Sequence, residues 1–169
     1  MSRFMVKKVA VLGAGVMGAQ IAAHLVNVRV PVVLFDLTAK EGPKSGIALK
    51  AIANLKKLKP SPLGVSAGAD LIPPANYDEH MNWLKDCDLV IEAIAERIDW
   101  KRDLYHKIAP FVAPHAILAS NTSGLSITAL SEALPEQLRH RFCGIHFFNP
   151  PRYMQLVALI ATAATEPRV

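Results

Sequence analysis

Gly13, Gly15 and Gly18, in "GAGVMG", are spaced to bring a main chain against a phosphate. In a GxGxxG run the first glycine permits a tight turn out of a strand. The second lets the backbone approach a pyrophosphate, and the third lets the next helix pack close to the sheet. That helix would point free N–H groups and its positive dipole end at the anion, so Ala14, Val16 and Met17 join the glycines as candidate contacts. Asp36 ends the next apolar run, where a carboxylate can accept hydrogen bonds from a ribose. It would repel a 2′-phosphate, which favours NAD over NADP as the cofactor. Lys40 and Lys44 lie nearby, but no arginine directly follows Asp36. A different chemistry is offered by His146, in "GIHFFNPPRYMQLVALI". An imidazole with a pKa near ~6.5 suits a general base at neutral pH. Such a base normally has a carboxylate behind it, and no acid follows in this stretch.

The elements that would hold these residues alternate. "KKVAVLGAG" is a continuous β-branched and apolar run, as expected of a strand buried on both faces of a parallel sheet. "VMGAQIAAHLVNV" reads as a helix and "VPVVLFD" as a second buried strand. "PKSGIALKAIANLKKLKP" predicts a helix with Ile47, Ala51, Ile52, Leu55 and Leu58 on its apolar face and lysines crowding its last turn. Residues 61–77 read as a loop with a short strand around Leu71 and Ile72, and "YDEHMNWLKD" as a short helix. "CDLVIEAI", "AILASNTS", "FCGIHFF" and "LVALIATAAT" are further strands. Between them lie helices at "DWKRDLYHKIAPFV" and "SITALSEAL", the second capped by Ser126. About six strands alternating with helices predict an α/β, doubly wound, mostly parallel Rossmann-type sheet with helices on both faces.

The chain has 169 residues, about half of them apolar, the length of one domain with a substantial core. Its net charge of +5 favours anionic ligands. The basic residues are scattered, and no basic patch interleaved with aromatics speaks for nucleic acid. "MSRFMVKK" and the long uncharged run after it mimic a signal peptide or membrane span. Gln20, His24 and Asn27 interrupt that run, however, and its glycines break it, so neither membrane insertion nor export is expected. Cys87 and Cys143 share no metal-ligand spacing, so no metal is expected, and the reading is of reduced thiols in a cytoplasmic protein.

Taken in order, "GAGVMG", "FD", "VIEAIAE", "ASNTSGLSI" and "GIHFFNPP" resemble the NAD-binding domain of the 3-hydroxyacyl-CoA dehydrogenases of fatty-acid β-oxidation, over about Lys8 to Thr165. The form found in long bacterial fusions with an enoyl-CoA hydratase part is the most similar. The resemblance implies reversible oxidation of an L-3-hydroxyacyl-CoA to the 3-ketoacyl-CoA. It also implies a helical substrate and dimerisation domain beyond this chain, and a whole protein that is a homodimer or part of a multifunctional enzyme. His146 then matches the catalytic base, and Ser123 a serine that hydrogen-bonds substrate and cofactor. Glu96, Lys101 and Asn149 match residues near the nicotinamide half. Lys50 and Lys57 align roughly with contacts to the CoA phosphates. Read alone, Glu96 and Lys101 are a solvated helix start, Ser123 and Asn149 turn residues, and the two lysines an exposed helix face. The family's orienting glutamate falls on Ala158, and Ala161 also departs from related sequences. Two other readings share the fold: another β-hydroxyacid dehydrogenase, and a non-catalytic structural protein of the same lineage, which Ala158 favours.

Overall fold

The computed structural model describes residues 5–169. The leader-like residues 1–4 lie outside the described residues. β1 (Val9–Leu12) enters the sheet and is followed by α1 (Val16–Asn27), β2 (Val32–Asp36) and α2 (Gly46–Leu55). After β3 (Pro74–Asn76) come β4 (Leu89–Glu92), α3 (Ile98–Ile108) and β5 (Ile117–Ser120). The chain continues with α4 (Ile127–Ala133), α5 (Glu136–Arg139), β6 (Phe142–Phe147) and β7 (Val157–Ile160). The strands form one sheet in the order β3-β2-β1-β4-β5-β6-β7, parallel except for β7, which runs antiparallel to β6.

The α/β doubly wound prediction is thereby met, with differences of detail. Among the described residues there are seven strands, against the about six expected. Residues Ser66–Leu71 form a 3₁₀ turn, and the short strand expected at Leu71 and Ile72 starts instead at Pro74. The segment "YDEHMNWLKD" contributes only a 3₁₀ turn, Met81–Asp86. Helix α2 stops at Leu55, so Lys56, Lys57 and Lys59 follow the helix rather than occupy its last turn. Ser126 caps α4 as predicted, its Oγ accepting the Ala129 N–H at 3.3 Å.

Period-two alternation in β1 builds the two layers. Val9 and Val11 pack with Ile21, Ala22, Ile52 and Leu55 on one face, while Ala10 and Leu12 pack with Leu104, Tyr105, Ile108 and Leu130 on the other. All four β1 residues are fully buried, so the strand had to be apolar throughout. Each large side chain buried this way contributes about 1.5–3 kcal/mol.

His24, on the last turn of α1, meets Phe147 edge-on with ring centroids 6.4 Å apart. Burial, and then the nearby Arg152 charge, lower its pKa below the ordinary 6.5. Below pH 6.5 the unfolded chain therefore takes up a proton at this site before the folded one does, and acid favours unfolding there. Replacing His24→Gln should flatten the fall in Tm between pH 6.5 and 5 relative to the wild type, as measured by thermal melts across that window.

Candidate active site

The chain leaves β1 for β2 and β3 on one side, then returns to β4 on the other, so the crevice between the ends of β1 and β4 is the switch point where ligands bind in such sheets. Gly13 leaves β1 with φ +107°, and a Cβ there would lie 2.7 Å from the Ala93 carbonyl oxygen. Gly18 is tighter still. A Cβ would fall 1.8 Å from the Gly13 carbonyl oxygen, so no other residue lets α1 start this close to β1. Gly15 differs from both, since nothing lies within 4 Å of where its Cβ would stand. The open space in front of Gly15 is the approach a pyrophosphate needs, and no side chain caps the first turn of α1. The N–H groups of that turn lack intrahelical partners and are available to an anion.

Asp36 stands at the end of β2 and accepts the Ala14 N–H on Oδ2 at 2.6 Å and the Leu37 N–H on Oδ1 at 2.7 Å. These bonds hold the carboxylate beside the glycine loop, with lone pairs left for ribose hydroxyls. The Ala14 amide is thereby engaged with Asp36, while Ala14 itself lines the cavity between α1 and α2. The donor set thus fits a dinucleotide with an unphosphorylated ribose.

A cavity of about 650 Å³ opens from Gly15, Val16 and Met17 toward Glu96, Ser123, His146 and Asn149. Four loops at the carboxyl ends of β1, β4, β5 and β6 thereby bring the predicted residues together. Glu96 ties two of these loops. Its Oε2 accepts the Thr122 hydroxyl at 2.5 Å and its Oε1 the Ser123 N–H at 3.3 Å. Asn149 Oδ1 accepts from Gln20 Nε2 at 3.4 Å. Asn121 is a site residue that the sequence does not single out. It lines the cavity, and its Oδ1 accepts the Phe147 N–H at 2.9 Å, clamping the end of β6 beside His146. Its only signal is a polar residue leaving a strand, which any loop shares.

Lys101 departs from the sequence expectation. Its side chain is 0 % exposed and its Nζ lies 2.5 Å from Glu92 Oε1, so it presents no atom to the cavity. A lysine on the inner face of α3 meets the carboxylate at the end of β4 before it can reach a ligand. Lys50 lines a second cavity of about 510 Å³, between α1 and α2, with the exposed Ile47 and Leu58. This cavity meets the first at Gly15 and Val16. Lys57 is exposed and lines neither.

His146 pairs directly with Ala158 across β6 and β7. Among the described residues, its buried Nδ1 has no hydrogen-bond partner. The ring packs edge-on against Phe148 at 4.7 Å. A residue opposite on an antiparallel neighbour places its Cβ about 4.5–5.5 Å away, within reach of a carboxylate but not of an alanine methyl for hydrogen bonding. Glu92 is engaged in its buried cluster, and Glu166 with Arg168 and His140. An orphaned buried donor costs about 1–3 kcal/mol, which disfavours the tautomer carrying the proton on Nδ1. That tautomer is the one whose Nε2 lone pair can accept a proton. Replacing Ala158→Glu should supply the missing acceptor and move the neutral ring's proton to Nδ1, read from the imidazole nitrogen shifts by NMR.

No helix among the described residues is long and apolar enough to cross a membrane. The family model "3-hydroxyacyl-CoA dehydrogenase, NAD binding domain" matches residues 8–169. The chain is 46 % identical over 156 residues to a fatty acid oxidation complex trifunctional enzyme of Rickettsia felis, covering 92 % of this chain and 22 % of that protein. It is 42 % identical over 165 residues to a 3-hydroxyacyl-CoA dehydrogenase of Deinococcus radiodurans, covering 97 % and 48 %. The crystal structure of 3-hydroxybutyryl-CoA dehydrogenase from Escherichia coli superposes with a TM-score of 0.78 at 30 % identity, covering 97 % of this chain and 34 % of that one. The chain thus spans between about a fifth and a half of the length of these relatives. A glycine cradle, an acid held beside it at the end of β2 and a family model that covers nearly every residue agree: the chain belongs to the 3-hydroxyacyl-CoA dehydrogenase family, as its NAD-binding domain.

Proposed function

We propose that this domain serves an enzyme that oxidises L-3-hydroxyacyl-CoA to 3-ketoacyl-CoA in fatty-acid breakdown, and that it binds NAD more effectively than it turns over by itself. One observation carries the second half: the buried Nδ1 of His146, whose partner on β7 is Ala158, has no hydrogen-bond partner among the described residues. NAD, when bound, supplies the hydride acceptor at its nicotinamide ring. The residues divide the remaining work. Gly13, Gly15, Val16, Met17 and Gly18 hold the pyrophosphate by backbone N–H groups and close approach, and Asp36 holds the adenosine ribose. Ser123 orients the substrate hydroxyl or carbonyl from the loop after β5, while Glu96 and Asn149 bound the cavity on either side. His146 Nε2 takes the hydroxyl proton.

Without an orienting carboxylate that last step is impaired. Loss of tautomer control in a Ser-His-Asp triad costs about 10⁴-fold, and an unoriented base here should forfeit a comparable share. The acyl-CoA is proposed to run along the second cavity, with Lys50 at its anionic part as a point charge and Lys57 further out on the surface. The outer edge of β7 is apolar and open, with Leu159 73 % exposed beside Val157 and Ile160. An uncovered apolar edge supports the reading that this is one part of a longer enzyme, with a helical substrate and dimerisation domain against it. A cytoplasmic setting is consistent with the two buried, unpaired thiols, Cys87 and Cys143.

Calorimetric titration should show NADH binding to this chain, with NADPH at least tenfold weaker, while acetoacetyl-CoA reduction stays barely measurable. Tight NADPH binding would contradict the assignment of Asp36, and robust turnover the account of His146. The variant Gly15→Ala has room for its methyl and an ordinary φ of −71°, so its Tm should stay within about 2 °C of wild type, a ΔΔG under ~1 kcal/mol. Its affinity for NADH should nonetheless fall tenfold or more, because the methyl occupies the phosphate approach.

A further inference from the structure

A charged cluster lies beneath the cavity floor and takes no part in the chemistry above. Glu92, Lys101, Tyr105 and Ser120 are each fully buried. Glu92 Oε1 accepts Lys101 Nζ at 2.5 Å and the Ile94 N–H at 2.7 Å. Its Oε2 accepts the Tyr105 hydroxyl at 2.9 Å and the Ser120 hydroxyl at 2.7 Å. The donors converge from α3, from β5 and from the loop that follows Glu92 itself.

Burying an ammonium and a carboxylate is a poor way to stabilise a fold, because desolvation offsets their attraction and apolar residues of the same volume usually do as well. The position of the cluster suggests another use. Glu92 is the last residue of β4, paired with Leu12 of β1 on one side and Ser120 of β5 on the other, at the switch point of the sheet. The backbone of Ile94 is held on both sides, its N–H by Glu92 and its carbonyl by Lys101 Nζ at 3.4 Å. On the β5 side, Ser120 Oγ accepts the Thr122 N–H at 3.3 Å. Ile94 and Ser123 line the cavity that contains His146, whereas Asp36 does not. The cavity with the proton-accepting group must take the reacting ring, and Asp36 marks the adenosine end.

We propose that Glu92 is a positioning residue for the nicotinamide half of the cofactor: it sets the spacing between the β4 and β5 loops through Ile94 and through Ser120–Thr122. The adenosine half is left to the glycine loop and Asp36. The proposal rests on the NAD reading above. It separates two ligands: NADH carries the nicotinamide ring, and ADP-ribose lacks it but keeps the pyrophosphate and adenosine.

The test titrates both ligands by calorimetry into this chain and into Glu92→Gln, Ser120→Ala and Tyr105→Phe, below the melting transition of each protein. Glu92→Gln should weaken NADH at least tenfold and ADP-ribose less than twofold, and Ser120→Ala should weaken NADH alone by threefold or more. A variant that loses thermal stability yet keeps the wild-type ratio of the two affinities would overturn the proposal and leave the cluster a folding element. Equal weakening of both ligands would do the same, as would a wild type that prefers NADH no more than ADP-ribose. Should Glu92→Gln fail to fold, Ser120→Ala and Tyr105→Phe decide by the same ratio. A wild type that binds neither ligand defeats the cofactor reading itself, a result distinct from an unchanged ratio.

Discussion

The approach of α1 to the end of β1 sets the geometry on which everything else is built. A Cβ at Gly18 would sit 1.8 Å from the Gly13 carbonyl oxygen, and one at Gly13 would press on the Ala93 carbonyl. Because both methyls are absent, the helix begins directly over the strand ends, and its unpaired N–H groups face the crevice between β1 and β4. Asp36 is drawn into the same arrangement by the Ala14 amide, so the glycine loop and this carboxylate form one hydrogen-bonded unit. At Gly15 nothing lies within 4 Å of where a Cβ would stand, which leaves room for a ligand.

The opposite wall follows a different logic. Polar side chains, rather than missing ones, fix it: Glu92 under the floor, Glu96 across Thr122 and Ser123, and Asn121 against the Phe147 amide. Each links loops from different strands, which suits a site that must place a reacting ring within a fraction of an ångström. The buried Glu92 carboxylate meets four donors, which offsets the cost of burying it beside Lys101. Tyr105, pushed well above the ordinary tyrosine pKa by burial and then by the Glu92 charge, stays protonated and remains a donor to it.

His146 is the exception within this ordered wall. Its neighbours are arranged and its backbone is clamped, yet the ring itself lacks the acceptor that would choose its tautomer. The glycine loop is set by backbone geometry, whereas the surroundings of His146 turn on the residue at one register position, where alanine stands.

Much of the scaffold is legible in the order of the residues. Missing side chains at 13, 15 and 18, apolar alternation in β1 and the acid closing β2 are local features, and local φ, volume and hydrophobicity act on consecutive residues. His146 stands out by its own chemistry, the family resemblance brings Ser123 and the gap at 158 into view, and the β6–β7 register places residues 146 and 158 opposite each other. Elements with weak local signals are not legible in this way, namely the 3₁₀ turns at residues 66–71 and 81–86 and the early end of α2. The resemblance assigns Lys101 to a ligand, although the inward face of α3 gives it to Glu92. The chain alone determined which backbone could grip a diphosphate. Only the tertiary structure decided which polar groups meet, because residues 92, 101, 105 and 120 become neighbours through strand register and helix rotation, which no short stretch of sequence encodes.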